Sequence, residues 1–220
     1  MNVLGIDCCT RITNLGLVSN GEILSEINLD LKRKQSEMLP NLVYNLLKSN
    51  NLKLNDIDLI SVTNGPGFYT GIRTGLSYST SLSFALSKKI LPVVSLESMA
   101  YSLKDKYTHI VSVIKARKKS LYYAIYEIDK NITTLVNPQY SHIDKLLKEI
   151  SAFKELCIVG NDYKEYDELL ALKNVTFEDK PQTGGSTALL GFERYTQSID
   201  PLSLQGMYLR KPDIGPLQDE

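Results

Sequence analysis

The sequence predicts an α/β protein of two lobes that share one order of strands and helices. Three observations carry this expectation. Short β-branched runs alternate with amphipathic helical stretches along the chain, a glycine-punctuated strand–turn–helix unit spans residues 59–86, and the order βββαβα of the first half returns in the second with almost no residue identity. The 220 residues suit one large domain or two small lobes, each able to bury a core. Hydrophobic residues make up 43% of the chain and 25 basic residues balance 25 acidic ones, which excludes disorder and a surface dedicated to nucleic acid or acidic membrane. No apolar run approaches the ~20 residues of a membrane span, and residues 1–7 have neither the basic start nor the length of a signal peptide. A cytoplasmic protein with no membrane partner is expected. Cys8 and Cys9 are adjacent and Cys157 is far off in sequence, so three reduced, structural cysteines are expected.

The elements follow in order. Residues 3–6 form a short apolar strand, 13–19 alternate in part, and Asn20-Gly21 turns the chain into a third strand at 22–29. Leu39, Leu42, Val43, Leu46 and Leu47 recur at helical spacing and place a helix at 36–49 with that face on the sheet. Pro40 leaves two starts open: at Pro40 itself, where a missing N–H costs little, or at Ser36 with a kink. A strand at 59–63 enters Asn64-Gly65-Pro66-Gly67-Phe68-Tyr69-Thr70-Gly71-Ile72-Arg73-Thr74-Gly75. There Gly65 and Gly67 suit positive φ or close backbone approach, Pro66 fixes the turn, and Thr70 is the expected N-cap of a helix reaching 86. A strand at 91–95 and a helix at 97–103 close the half. The second half reads as strands at 109–114, 121–128 and, more weakly, 132–136, a helix at 143–150 and a strand at 156–159. A turn at Gly160-Asn161, an amphipathic stretch at 166–172 and a helix at 186–195 capped by Ser186 follow. The boundary falls in the charged stretch 102–107, giving lobes at 1–104 and 105–220. Pro201, Pro212 and Pro216 predict an extended tail with a mobile tip.

Glycine-rich turns between strand and helix often bind phosphate through free N–H groups. This one is not a P-loop, since no Gly-Lys-Ser/Thr follows, nor a dinucleotide fingerprint, since Gly65-Pro66-Gly67 lacks the third glycine. A βββαβα lobe used twice is the plan of the actin, hexokinase and Hsp70 superfamily (ASKHA), built of RNase H-like lobes. In it, nucleotide lies between the lobes and each lobe offers a phosphate hairpin with an acidic residue. Here the first hairpin is Asp7-Cys8-Cys9-Thr10, with Asp7 where a magnesium-organising carboxylate or a plain turn former would sit. The second, Lys115-Ala116-Arg117-Lys118-Lys119-Ser120, has neither carboxylate nor glycine. The second lobe therefore reads as degenerate, and Asp7 and Thr10 as a vestigial phosphate hairpin.

Gly5-Ile6-Asp7-Cys8-Cys9-Thr10, Gln35-Ser36-Glu37-Met38-Leu39-Pro40, the glycine-rich string, Ser95-Leu96-Glu97 and Tyr208-Leu209-Arg210 together resemble the TsaB family, also called YeaZ. The match is dense over the first hundred residues and thin beyond. It implies a two-lobed protein without catalysis or cofactor of its own, which pairs with its paralogue TsaD and works with the small ATPase TsaE. TsaD transfers a threonylcarbamoyl group to adenosine beside the anticodon in tRNAs that read codons beginning with adenine. The sequence departs from the family at Gln35, where His is usual, at Cys8 and Cys9, where Thr-Ser is common, and at Lys115, where Asp is frequent. The catalytic paralogue holds metal with two histidines four apart on this helix; Gln35 and Leu39 stand in their place and cannot ligate in that way, so no metal is expected. The only histidines, His109 and His142, read as structural or solvated.

The resemblance also implies pairing through the first two long helices as a four-helix bundle, with a homodimer able to use the same surface. That interface would take Ser36, Glu37, Pro40, Asn41 and Tyr44 from the first helix and Gly71, Arg73, Gly75, Ser79 and Ser83 from the second. Gly71, Gly75, Ser79 and Ser83 recur every fourth residue, a row of small side chains that lets another helix approach closely; Ile72, Leu76 and Phe84 then face the sheet. The other reading packs the row inside this lobe, against its own first helix. The tRNA contact is indirect, through the complex, with Arg117-Lys118-Lys119 either a direct contact or a solvated turn. A small-molecule kinase or ATPase, resting on Asp7 and the glycine-rich turn, is the alternative function; a metallopeptidase would need the absent histidine pair.

Overall fold

In a computed structural model that describes residues 1–32, 34–160, 162–179 and 181–211, the two halves form two five-stranded sheets of one topology. β1 (Asn2–Asp7), β2 (Ile12–Ser19), β3 (Glu22–Asp30), β4 (Leu59–Thr63) and β5 (Lys89–Val93) lie in the order β3-β2-β1-β4-β5. β6 (His109–Arg117), β7 (Ser120–Ile128), β8 (Ile132–His142), β9 (Leu156–Val159) and β10 (Val175–Glu178) lie in the order β10-β9-β6-β7-β8, the same plan read from the other edge. Each is an antiparallel meander of three strands extended by two parallel ones. The degeneracy expected of the second lobe is thus not one of strand order.

Helices cover both faces of each sheet. α1 (Gln35–Ser49) and α2 (Tyr69–Ala85) lie on the outer face of the first; α4 (Ile143–Ile150) and the short α5 (Asp167–Leu170) lie on the outer face of the second. α3 (Ser95–Tyr101) and α6 (Thr183–Glu193) fill the space between the sheets. Strand alternation sets this layering: Leu4 and Ile6 of β1 meet α1, whereas Val3 turns to α6 with Val18, Leu59 and Val93. Chain order and spatial order part here. α3 belongs to the first half of the sequence but packs on β6 and β7, with Leu96, Met99 and Ala100 against Ile110, Ile114 and Tyr126. α6 comes near the end of the chain but packs on β1, β2 and β4.

The seat of α6 is backbone on backbone. A Cβ at Gly184 would lie 2.3 Å from the carbonyl carbon of Leu15, and one at Gly16 would lie 2.2 Å from that of Gly184. A Cβ at Gly5 would lie 2.3 Å from the Gly184 oxygen. Three glycines therefore let a helix lie on bare sheet. Its buried first-turn N–H groups need acceptors, and Glu26 Oε1 on β3 takes the one from Gly185 at 2.5 Å. Burial pushes the Glu26 carboxyl up, and that hydrogen bond pulls it back in part. α3 and α6 join through hydroxyls, Ser98 Oγ lying 2.8 Å from Ser186 Oγ and 2.7 Å from Thr187 Oγ1. The Arg194 guanidinium adds a two-pronged pair to Glu97 at 2.6 and 3.0 Å.

Several boundaries differ from the sequence expectation, each for a local reason. α1 begins at Gln35 and keeps Pro40 inside it; the carbonyl that Pro40 leaves without an N–H belongs to Ser36, which is exposed to solvent. α2 begins at Tyr69 with Phe68 ahead of it, so Thr70 is in the first turn rather than the cap, and its carbonyl accepts from the Thr74 hydroxyl at 3.0 Å. α6 begins at Thr183, and Ser186 lies in its first turn, its hydroxyl shared between Ser98 and the Thr183 carbonyl. Ser95 opens α3 instead of ending a strand. β8 runs on through Pro138 to His142, which an edge strand tolerates, and β10 was not foreseen. Asn161 of the expected turn, and Pro212 and Pro216 of the tail, lie outside the described residues. No helix among the described residues is long and apolar enough to cross a membrane.

If the glycine seat holds α6, Gly184→Ala should cost about 3 kcal/mol or more, because its methyl meets backbone that cannot rotate away. Urea denaturation followed by circular dichroism measures this, with exposed Ser77→Ala on α2 as a control that should change stability by less than ~0.5 kcal/mol.

A phosphate hairpin closed by its own chain

The hairpin between β1 and β2 sits at the carboxyl end of β1, where the fold class places phosphate chemistry. Asp7 is fully buried there. Its carboxylate accepts the Cys9 N–H at 2.9 Å, the Thr63 hydroxyl at 2.6 Å and the Thr183 hydroxyl, with the Asn14 amide at 3.5 Å. These donors come from β2, β4, α6 and the hairpin itself, so both oxygens are spent on structure. Asp7 is a clasp between elements and offers no open side to a metal–phosphate pair. Thr10 is buried as well, its hydroxyl bridging the backbone of Ile12 and shaping the turn.

The glycine-rich turn closes what remains. A Cβ at Gly67 would lie 2.1 Å from the Cys9 oxygen, and one at Gly71 would lie 2.0 Å from the Cys8 oxygen. The Phe68 N–H, the kind of group that would hold a phosphate at a helix start, donates to the Cys9 carbonyl at 2.8 Å. Gly65 has φ +115°, and its carbonyl accepts the Ser95 N–H at 2.9 Å. The start of α2 therefore rests on the first hairpin itself. Burial, with Asp7 adding to it, pushes both the Cys8 and Cys9 thiols well up, so they stay neutral.

The small-residue row does not face outward. Gly71, Gly75, Ser79 and Ser83 are all buried, with Gly75 over Cys8 and Val62, so the row serves contact with this lobe's own sheet and hairpin. Phe84, expected on the sheet, is 65% exposed. A period of four identifies which residues share a line, but not which side that line faces. Ser36, Glu37, Pro40, Asn41 and Tyr44 of α1 are all exposed, as is Arg73, whose guanidinium lies 5.5 Å from the Tyr69 ring.

In the second lobe the basic turn meets acids that the linear string did not reveal. Lys119 pairs with Glu168 at 3.3 Å, Lys115 pairs with Glu165, and a 330 Å³ hollow there is lined by Glu165, Asp167 and Glu168 beside Arg117, Lys118 and Lys119. The Lys115 N–H also donates to Asp162, whose carboxyl burial pushes up while that bond and nearby cations pull it down. His109 packs edge-on against Phe153 at 5.1 Å, and His142 Nδ1 accepts the Asp144 N–H at the start of α4. Among the described residues, no group of three His, Cys, Asp or Glu side chains could hold a metal ion. A pocket of 180 Å³ lies between the lobes, lined by the glycine-rich turn, Lys115, Ala116, Tyr122 and residues 207–211 of the tail. Nothing in the sequence around Tyr208-Leu209-Arg210 places the tail in this cleft.

Fold and hairpin together define a two-lobed protein of the actin and hexokinase type whose first phosphate hairpin is filled by its own backbone. The chain belongs to the family described as "TsaD: tRNA N6-adenosine threonylcarbamoyltransferase", whose sequence model matches residues 22–179. The curated proteins it is similar to include both TsaB proteins and tRNA N6-adenosine threonylcarbamoyltransferases. It is 28% identical over 133 residues to "tRNA threonylcarbamoyladenosine biosynthesis protein TsaB" of Escherichia coli (strain K12), covering 60% of this chain and 57% of that protein. It is 28% identical over 138 residues to the Bacillus subtilis (strain 168) protein of the same description, covering 63% and 60%. The matched region thus spans less than two thirds of each of these relatives. The solved structure of YeaZ from Pseudomonas aeruginosa shares the fold, with a TM-score of 0.82 at 20% identity over 94% of this chain and 99% of that one.

The two glycines of α2 should separate the roles of the row. Gly71→Ala forces a methyl onto the Cys8 carbonyl and should cost about 3 kcal/mol. In Gly75→Ala the new methyl stands at 3.4 Å from Cys8 Cβ, an ordinary contact, so helix propensity should leave stability unchanged or raised by up to ~1 kcal/mol. Thermal and urea melts of both variants check this.

Proposed function

We propose that this chain is a non-catalytic subunit of the machinery that makes N6-threonylcarbamoyladenosine in tRNA, pairing with TsaD and working with the ATPase TsaE in the cytoplasm. The observation that carries the proposal is the hairpin seat. With Asp7 bound on every side and the start of α2 pressed onto the Cys8 and Cys9 carbonyls, the position that would handle phosphate is a structural joint. The kinase or ATPase alternative loses its two supports there, and family membership supplies the pathway.

The partner face we assign lies on the N-terminal lobe, 1–104: Ser36, Glu37, Pro40, Asn41 and Tyr44 along α1, with Arg73 at the start of α2. All six are exposed, and Tyr and Arg are the residue types that most often anchor protein interfaces. Gly71, Gly75, Ser79 and Ser83 leave this list as direct contacts; they set how closely α2 lies on its own sheet and so the height of the face beside α1. The 105–220 lobe and the basic turn are not assigned a tRNA contact, because Glu165 and Glu168 already meet the charge of Lys115 and Lys119. The tRNA is reached through TsaD.

Tyr44→Ala should leave the fold intact and weaken binding to TsaD at least tenfold in calorimetric titration, as for a hot-spot aromatic worth ~2 kcal/mol, while exposed Lys130→Ala should bind like the parent. In cells depleted of the parent chain, mass spectrometry of digested tRNA should show threonylcarbamoyladenosine restored by the parent and poorly by Tyr44→Ala. Full binding and full modification by Tyr44→Ala would move the interface elsewhere.

A further inference from the structure

We propose that residues 199–209 form a strap that ties the two lobes in one relative orientation. The segment first joins the first lobe by backbone pairing. Ile199 exchanges hydrogen bonds with Ile90 of β5 at 2.8 and 3.1 Å, and the turn at Pro201–Ser203 packs on α2. It then crosses the glycine-rich turn. The Met207 N–H donates to the Asn64 carbonyl at 2.7 Å and the Asn64 side-chain amide donates to the Gln205 carbonyl at 3.1 Å, while the Asn64 N–H is held by Val93 at 2.9 Å. Asn64 is thus gripped between β5 and the tail.

Gly65 is shaped for this crossing. It has φ +115°, and a Cβ there would lie 2.4 Å from the Met207 oxygen, so the turn accepts the tail only with glycine at this position. The two residues beyond reach outward and across. The Tyr208 ring stands 5.3 Å from that of Tyr69 at the start of α2, and Leu209 packs on the core cluster of the second sheet and lines one pocket with Ala116 and Tyr122. One short segment therefore touches the edge of the first sheet, the glycine-rich turn, α2 and the second sheet. The α3–α6 seam is a separate junction built of hydroxyls and one ion pair.

The test uses the full chain and a distance between lobes. Its native cysteines Cys8, Cys9 and Cys157 are all buried, so Asn45→Cys on α1 and Lys148→Cys on α4, both exposed, would carry spin labels selectively. Double electron–electron resonance on the parent should give one narrow distance distribution. Met207→Pro, which removes the N–H that Asn64 accepts, and Leu209→Ser, which removes the contact with the second lobe, should each broaden it while circular dichroism shows both lobes folded. Should Met207→Pro fail to fold, Leu209→Ser alone decides. A distribution as narrow as the parent's in a folded variant overturns the proposal. Loss of the folded state in both variants overturns it as well, because the segment is then core rather than a tie between lobes.

Discussion

The contact between Gly184 and the backbone of Leu15 and Gly16 is the constraint from which most of the architecture follows. Because no side chain stands between the start of α6 and the first sheet, the helix lies deep enough for the Thr183 hydroxyl to reach Asp7 and for the Gly185 N–H to reach Glu26. α6 comes from the far end of the chain, so the first lobe is complete only after the second has been made. α3 makes the opposite crossing onto the second sheet. The lobes are interleaved, and each contributes the helix that covers the other's inner face. Contacts of such sequence separation are slow to form, which places the closing of α6 late in folding.

The same close packing explains what has become of the inter-lobe chemistry. A phosphate site needs free N–H groups and a carboxylate with an open side. Here the Phe68 N–H is given to Cys9, and Asp7 is enclosed by Cys9, Thr63 and Thr183. These groups still point where the fold class points them, but their partners are intramolecular. A buried carboxylate kept in this way must be fully hydrogen-bonded, and it is; removing one donor would strand charge in the interior. The face proposed for a partner is the outer one, where α1 carries exposed Tyr44 and Asn41 over buried Leu39, Leu42, Val43, Leu46 and Leu47.

The sequence was most legible where periodicity and turn chemistry agreed. The strand Leu59–Thr63, bounded by the glycine-rich turn, the strand Leu156–Val159 and the helix Ile143–Ile150 have the limits that their patterns predict. The repeat of one lobe plan was legible because two parallel series of strands and turns recur. The destination of α6 was not, since Gly184-Gly185 reads locally as a loop and only the matching Gly5 and Gly16, far upstream, give it a seat. The row Gly71, Gly75, Ser79 and Ser83 was visible, but its direction was not, because small residues suit a partner helix and a sheet backbone equally well. Likewise, nothing local to Arg117-Lys118-Lys119 shows that Glu168 folds against Lys119, or Glu165 against the neighbouring Lys115.

We propose that the partner contact lies on the outer face of α1 and not in the cleft. Hydrogen exchange of the chain alone and bound to TsaD tests it most directly, because it reads every peptide without altering the protein. The account predicts new protection across residues 36–44 and at the first turn of α2 around Arg73, with the turn at 115–119 unchanged. Protection confined to 115–119 or to the cleft between the lobes, with α1 exchanging as in the free chain, would contradict it.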